Sequence, residues 1–286
     1  MSLKIGSNIK KVKINNSIIS LIKLNGKKLY ELFKYTIAEN WVDITNCGAE
    51  GTLTSDNLDV WISNTNVDDP KSLTLDFTVN ETHNLKASFE VNGYEGCPDY
   101  LYAFIVKDDN TPIYMFTLIR NDPYTSFTRT IHQVLEAGNY RFDIFASDAM
   151  EVGLKCTEFS LSTEIPENLF DLSSYDFPTT IEGLTFDYDN AKKSLTINGE
   201  NNADVIIKVP CVLQPGNYTF SYTMPMGDSG FFWFDIDGME EATLDCMGAN
   251  LATFTVTQDT TELTLWFLPG WAYDNLELSF NLVRNY

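Results

Sequence analysis

The feature that most constrains this chain is a two-residue alternation of apolar and polar side chains, repeated along its length without an intervening amphipathic helix. Ser72–Val79 carries it most cleanly, with Leu73, Leu75, Phe77 and Val79 on one face and polar residues between them. A strand points successive side chains to opposite sides, so such a run buries one face and leaves the other in water. Trp41–Ile44, Leu58–Ile62, Leu85–Val91, Tyr100–Val106, Ile113–Ile119, Tyr124–Ile131, Leu135–Phe142 and Leu154–Leu161 follow the same plan, many at intervals of about ten to fourteen residues. Asn92-Gly93, Asp108-Asp109-Asn110 and Asn121-Asp122-Pro123 supply turn chemistry between runs. The expectation is an all-β chain of antiparallel sandwiches of jelly-roll type.

At 286 residues the chain has room for two such cores. Ser162–Asn168 lacks periodicity and contains Pro166, which makes it the best boundary. Residues 35–165 and 166–286 are the expected sandwich modules. The second holds Leu184–Tyr188 and Ser194–Ile197 around the turn Asp189-Asn190-Ala191. Phe231–Phe234, Ala252–Val256, Glu262–Phe267 and Leu276–Val283 follow. Leu213-Gln214-Pro215-Gly216-Asn217-Tyr218-Thr219-Phe220 echoes Leu135-Glu136-Ala137-Gly138-Asn139-Tyr140-Arg141-Phe142, which suggests related modules.

Residues 1–34 are of a different kind. Leu3–Ile9, Val12–Ile18 and Ile22–Leu29 are imperfect copies of one unit, each alternating apolar residues with lysine around a Gly/Asn/Ser pair. Gly6-Ser7, Asn15-Asn16 and Asn25-Gly26 suit tight hairpin turns, because Gly and Asn tolerate positive φ. The units predict short β-hairpins, too small to be stable alone, whose apolar face needs a cover. Eight lysines against Glu31 give this segment +7, and the chain's −21 leaves −28 for residues 35–286. A body that acidic repels phosphate, so neither nucleic acid nor an anionic membrane is an expected partner. No apolar run is long enough for a membrane-spanning helix, and the first residues lack the apolar core of a signal peptide, so synthesis in a cytosol is expected. The five cysteines are widely spaced and read as structural thiols.

The lysine-striped units ending in Lys27-Lys28-Leu29-Tyr30-Glu31 resemble N-terminal segments of bacteriophage virion proteins of the tail, baseplate and head-fibre type. Asn168–Asp171, Gly183–Phe186, Leu195–Gly199 and Leu213–Tyr222 resemble a β-sandwich often appended to such proteins and similar in outline to carbohydrate-binding modules. The resemblance implies a structural protein assembled in the host cytoplasm and displayed on the virion exterior; the alternatives are a soluble carbohydrate-binding protein and a glycan-degrading enzyme without a virion role. Residues 1–34 would bind other virion proteins of capsid, collar or tail, with Ile5, Val12, Ile14, Ile18, Ile22, Leu24, Leu29 and Tyr30 as attachment positions. It also implies a homo-oligomer, as a trimer, and a host-surface glycan as ligand.

Candidate chemistry is sparse. Gly227-Asp228-Ser229 matches one esterase motif, but His83 and His132 both precede Ser229, and the segment reads as a hairpin turn. Asp235-Ile236-Asp237-Gly238, with Glu240-Glu241 behind it, puts glycine too early for an EF-hand loop. A solvated acidic turn is the default there, with a calcium site built from separate loops as the alternative. No metal or cofactor is expected. Forty acidic residues single out no hydrolytic pair, so the chain is expected not to be an enzyme. Trp61, Trp233 and Trp266 sit inside alternating strands and are assigned to the core. Trp271 lies in the turn-like Leu268–Asn275 and, with Tyr273, Asp274 and Asn275, forms the candidate stacking platform. The alternative is a loop aromatic that plugs the end of the sandwich.

Overall fold

A computed structural model describes the chain apart from residues 1–10, 15–16, 25–26, 36–40, 44–49, 55–56, 65–70, 96–100, 108–111, 120–126, 147–149, 178–179, 225–230, 246–249 and 286. Before Leu58, Trp41 excepted, it is described by backbone and register alone. The described residues form antiparallel strands and one short 3-10 turn. No helix among them is long and apolar enough to cross a membrane.

The chain opens with a meander of β1 (Lys11–Ile14), β2 (Ser17–Leu24) and β3 (Lys27–Tyr35). Ile14 pairs with Ser17 and Leu24 with Lys27, so two residues separate each pair of strands where Asn15-Asn16 and Asn25-Gly26 predict hairpins. The first copy, with Ile5 and Gly6-Ser7, lies outside the described residues. The strands are longer than the units suggest, at eight and nine residues for β2 and β3. This changes how the attachment positions are grouped. Val12, Ile19 and Phe33 make one cross-strand row, and Lys13, Ile18 and Lys34 make the next. Adjacent rows lie on opposite faces. The row Ile22–Tyr30 therefore falls on the face opposite to Val12 and Ile14. Leu24 and Leu29 flank a register shift.

Two compact units divide at Ile165/Pro166, with Tyr100–Tyr102 and Tyr114–Asp122 grouped with the second. In the first part of the chain β4 (Val42–Asp43), β5 (Glu50–Thr54), β6 (Asn57–Asn64), β7 (Lys71–Val79), β8 (His83–Glu95), β9 (Leu101–Lys107), β10 (Pro112–Ile119), β11 (Phe127–Leu135), β12 (Gly138–Ala146) and β13 (Met150–Ser162) build two sheets. One runs β10-β9-β12-β7-β4; in the other β8 joins β11 to β13, which also pairs with β6. Leu161 and Ser162 of β13 pair with Tyr35 and Lys34, which joins the meander to this sheet. The core between the sheets is aromatic: Phe142 meets Phe159 edge-on at 5.2 Å and stacks on Phe89 at 5.8 Å, while Trp41 is buried against both Phe142 and Phe159.

The second module comprises β14 (Leu184–Asp189), β15 (Ser194–Glu200), β16 (Val205–Pro210), β17 (Gly216–Thr223), β18 (Phe232–Ile236), β19 (Leu244–Asp245), β20 (Leu251–Val256), β21 (Glu262–Phe267) and β22 (Ala272–Asn285). Its sheets are β14-β15-β22-β17-β20 and β16-β21-β18-β19. Phe170, Phe220 and Phe280 stack between them, Phe170 on Phe280 at 4.2 Å. Asn168 starts the module: its Oδ1 accepts from Leu282 N and its Nδ2 donates to Phe280 O at 2.7 Å. Because β17 and β18 belong to different sheets, residues 224–231 connect sheets and are not the hairpin turn expected around Gly227-Asp228-Ser229. Ser229 itself is outside the described residues.

Both modules are jelly rolls. Counted one to eight from β6, the first pairs five-four-seven-two in one sheet and six-three-eight-one in the other. Counted from β15, the second pairs one-eight-three-six and two-seven-four-five. These are the same topology. The echoed octapeptides do not fall on the same strand, however: one is on strand seven (β12), the other on strand three (β17). Advancing the first module by four strands superimposes every pairing on the second, and the echo then extends to the partner strands. Phe77-Thr78-Val79 pairs with Tyr140, Asn139 and Gly138; Phe254-Thr255-Val256 pairs with Tyr218, Asn217 and Gly216. Thr78 Oγ1 donates to Asn139 Oδ1 and Thr255 Oγ1 to Asn217 Oδ1, each at 2.9 Å. Tyr140 Oη donates to Glu136 O at 3.0 Å and Tyr218 Oη to Gln214 O at 2.7 Å. The shared phrase therefore marks places related by the internal symmetry of the jelly roll, not the same strand of a tandem copy.

Each of these tyrosines is buried and closes the corner by which the chain passes from one sheet to the other. Tyr140→Phe and Tyr218→Phe keep the packing and strand one acceptor, so each should lower the stability of its own module by about 1 kcal/mol. Urea unfolding of the full chain measures this; an unchanged midpoint for both would mean that the corner bonds contribute nothing.

Candidate functional site

The sheet β16-β21-β18-β19 buries Val205, Ile207, Val209, Leu263, Leu265, Phe267, Phe232, Phe234 and Ile236 against the second core. Its outer face should be polar, and at Lys208, Thr264, Asp235 and Glu262 it is. One row breaks the rule. Ile206 stands opposite Trp266, and Trp266 opposite Trp233. The two indoles meet at 5.3 Å, and Trp233 touches Phe231 at 5.9 Å. Phe231 in turn stacks on Trp271 at 5.2 Å. The result is a continuous apolar stripe across the strands, from Ile206, 52% exposed, to Trp271, 40% exposed. Trp266 Nε1 donates to Asp204 Oδ1 at 3.1 Å, which fixes that indole.

The Trp271 end is held from beneath. Asn201, fully buried, donates from Nδ2 to Leu268 O at 2.7 Å and Ala203 O at 3.1 Å, and its backbone O accepts from Gly270 N. Gly270 has a φ of +83°, which a side chain would strain. Tyr273 Oη donates to Phe231 O at 2.8 Å and accepts from Phe231 N at 3.4 Å, so this hydroxyl seats the ring on which Trp271 stacks.

The sequence-predicted platform is thus partly corrected. Trp271 is exposed, but Tyr273 is only 3% exposed and offers no stacking face. The reason is that β22 starts at Ala272, pairing Glu200 with Ala272 and Gly199 with Tyr273, where the sequence suggests a loop. A register shift between Ile197 and Gly199 then throws Asp274 and Asn275 out of the ladder. Both are exposed, Asn275 with a φ of +52°, and Asn275 Nδ2 donates to Asp274 Oδ1. Trp233 and Trp266, assigned to the core from the sequence, are half-buried on the outer face. Their phase carried the signal: Trp266 shares its face with Thr264 and Glu262, and Trp233 shares its face with Asp235. Trp61 repeats this in the first module, in phase with Asp59, 41% exposed and lying against Gly153. Ile206 lies on β16, where Val205, Ile207 and Val209 point inward and the alternation turns Ile206 outward.

Elsewhere the chemistry is structural. Asp237 accepts from Thr261 N, Thr261 Oγ1 and Glu262 N, and Asp235 Oδ1 from Gly238 N, so these carboxylates organise a turn. Among the described residues no three metal-binding side chains converge. His83 and His132 are buried, with ring nitrogens against Glu81 O and Asn84 Nδ2. Burial pushes the Asp143 carboxyl above its ordinary pKa, opposed by two bonds from Arg141 Nε. Burial likewise pushes the Cys156 thiol up to about 12 and the Cys211 thiol up to about 11, so neither is a ready nucleophile.

No family model and no curated protein matches the chain. Among solved structures it is similar to the N-terminal CBM22-1–CBM22-2 tandem domain of Paenibacillus barcinonensis Xyn10C, at 10% identity over 92% of this chain and 99% of that one, with a TM-score of 0.24. It is similar to a Paenibacillus cycloisomaltooligosaccharide glucanotransferase complexed with cycloisomaltoheptaose, at 10% identity, 86% and 45% coverage and a TM-score of 0.27. A Paenibacillus xanthan lyase gives 15% identity, 96% and 27% coverage and a TM-score of 0.27. Likenesses this distant carry no argument about function.

Tyr273→Phe removes the hydroxyl that seats Phe231 and should lower the second module's stability by about 1–2 kcal/mol, with a change in tryptophan emission at the stripe. Urea unfolding followed by fluorescence tests this. A variant with full stability and unchanged emission would mean that Tyr273 does not support the platform.

Proposed function

We propose that this chain is a non-enzymatic glycan-binding protein, whose second module holds sugar rings against the stripe formed by Trp266, Trp233, Phe231 and Trp271. The observation that carries the reading is that stripe: Trp266 and Trp233 on neighbouring strands, with Phe231 and Trp271 beyond the strand ends, packed edge to face except for the stacked Phe231–Trp271 pair, and rimmed by carboxylates. A sugar ring presents apolar C–H faces and a hydroxyl rim, which an indole face beside Asp and Asn side chains complements. The side chains are held before any ligand arrives, by Tyr273, Asn201 and Asp204, so little ordering entropy opposes binding. Trp233→Ala and Trp271→Ala should each weaken binding on a glycan array about tenfold or more, with circular dichroism unchanged. Equal binding by wild type and both variants would sink the reading.

The lysine-rich meander favours a second element: attachment of the protein to a larger assembly, which the sequence resemblance makes the exterior of a phage particle. What supports it is the meander's place at the edge of the first module's sheet, joined to β13 through Tyr35 and Lys34 alone among the described pairings. The alternating apolar residues of its sequence call for cover by other chains, either virion proteins or further copies in a trimer. Deleting residues 1–34 should leave glycan binding intact and abolish incorporation into particles. Particles that still carry the truncated chain would refute attachment through this segment.

A further inference from the structure

We infer that the aromatic stripe of the second module selects uncharged sugar chains and rejects anionic ones; this rests on the glycan-binding reading and adds the ligand class. The inference comes from what surrounds the rings. Asp204 accepts the indole N–H of Trp266 at 3.1 Å, so its carboxylate sits at one rim of the stripe. Asp235 follows Trp233 on the same face of β18, opposite Thr264. Asp245 holds the register position opposite Trp233 but is buried, so it is not part of the exposed rim. Glu262 lies on the same face of β21 and binds the Lys208 ammonium at 2.6 Å. On this face, among the described residues, the three solvent-accessible carboxylates Asp204, Asp235 and Glu262 therefore stand against one lysine, and that lysine is paired. Among the described residues, no guanidinium is placed over these rings, and the one ammonium on this face is engaged by Glu262.

Charge decides the outcome because stacking alone does not discriminate. The C–H face of a uronic acid is as apolar as that of the neutral sugar, and a tryptophan accepts either. A ligand carboxylate held beside Asp204 and Asp235 would meet like charge while losing water, which is costly when no cation compensates. The neutral hydroxymethyl group in its place donates to the same carboxylates. The acidic body, −28 over residues 35–286, adds a long-range field of the same sign that slows the approach of any anionic polymer.

The experiment uses the full chain with matched probes: dextran, pullulan and xylan, each uncharged and after oxidation or substitution that installs carboxylates, together with their sulfated forms. The expected result is binding to at least one uncharged probe, with the anionic form of the same backbone weaker by about tenfold or more at 50 mM salt, the gap narrowing as salt is raised toward 500 mM. Asp204→Asn keeps the acceptor for Trp266 while removing charge, and Asp235→Asn is its counterpart beside Trp233. The double variant should raise binding of the anionic probe relative to the uncharged form of the same backbone by about fivefold or more. Equal or tighter binding of anionic probes by wild type, or no gain in the double variant, overturns the inference and leaves the glycan-binding reading standing. Failure of wild type to bind any uncharged or anionic probe removes both.

Discussion

A strand has two faces, and in each module every long strand must give one of them to the space between two sheets. That requirement places Phe170, Phe220 and Phe280 in a stack whose closest rings are 4.2 Å apart, and sets Trp41, Phe159 and Phe89 around Phe142 in the other module. With the inner faces committed to large rings, register has little freedom: a slip by one residue would expose every one of them. The corner tyrosines Tyr140 and Tyr218 act at the same level, closing the turns that carry the chain from one sheet to the other. What remains open to variation is the outer face. It is the outer face that distinguishes the two modules.

The inner faces could be read directly from the chain. Leu73, Leu75, Phe77 and Val79 are buried as their alternation requires, and so are Leu263, Leu265 and Phe267. The site was harder to see, for a physical reason. Tryptophan is a large apolar residue, and inside a strand it is assigned to the core by default. Phase, not identity, decides its side: Trp61, Trp233 and Trp266 all occupy the polar phase of their strands. Tyr273 shows the converse. Turn-like residues precede it, but pairing of Ala272 with Glu200 extends β22 to include it, and the pleat turns its ring inward. No local pattern around Trp271 announces that strand; only its partner Gly199 does.

The echo between the modules was visible in sequence but not its meaning. Leu135–Phe142 and Leu213–Phe220 suggest one module copied after another, yet they occupy strands seven and three of the same topology. A jelly roll is built from two interlocked halves, and advancing the count by four strands exchanges them. The local device is a corner tyrosine, an asparagine bonded to a cross-strand threonine, and a buried phenylalanine, and it serves equally in either half because the crossing it secures is the same. Sequence distance alone cannot distinguish a repeated module from a repeated solution to one crossing.

The separation of inner and outer faces also explains why the charge of the chain and its candidate site belong together. A sheet packed on one side by aromatic rings tolerates nearly any outer row that does not disturb the pleat. Four aromatic side chains joined across the outside of one sheet would ordinarily invite self-association. The carboxylates around them, Asp204, Asp235 and Glu262, put like charge at the rim, so two copies brought stripe to stripe would also bring those charges together. A neutral ligand with hydroxyl groups meets no such opposition. On the proposed function, the acidic frame that opposes pairing of two stripes leaves the rings open to a neutral sugar.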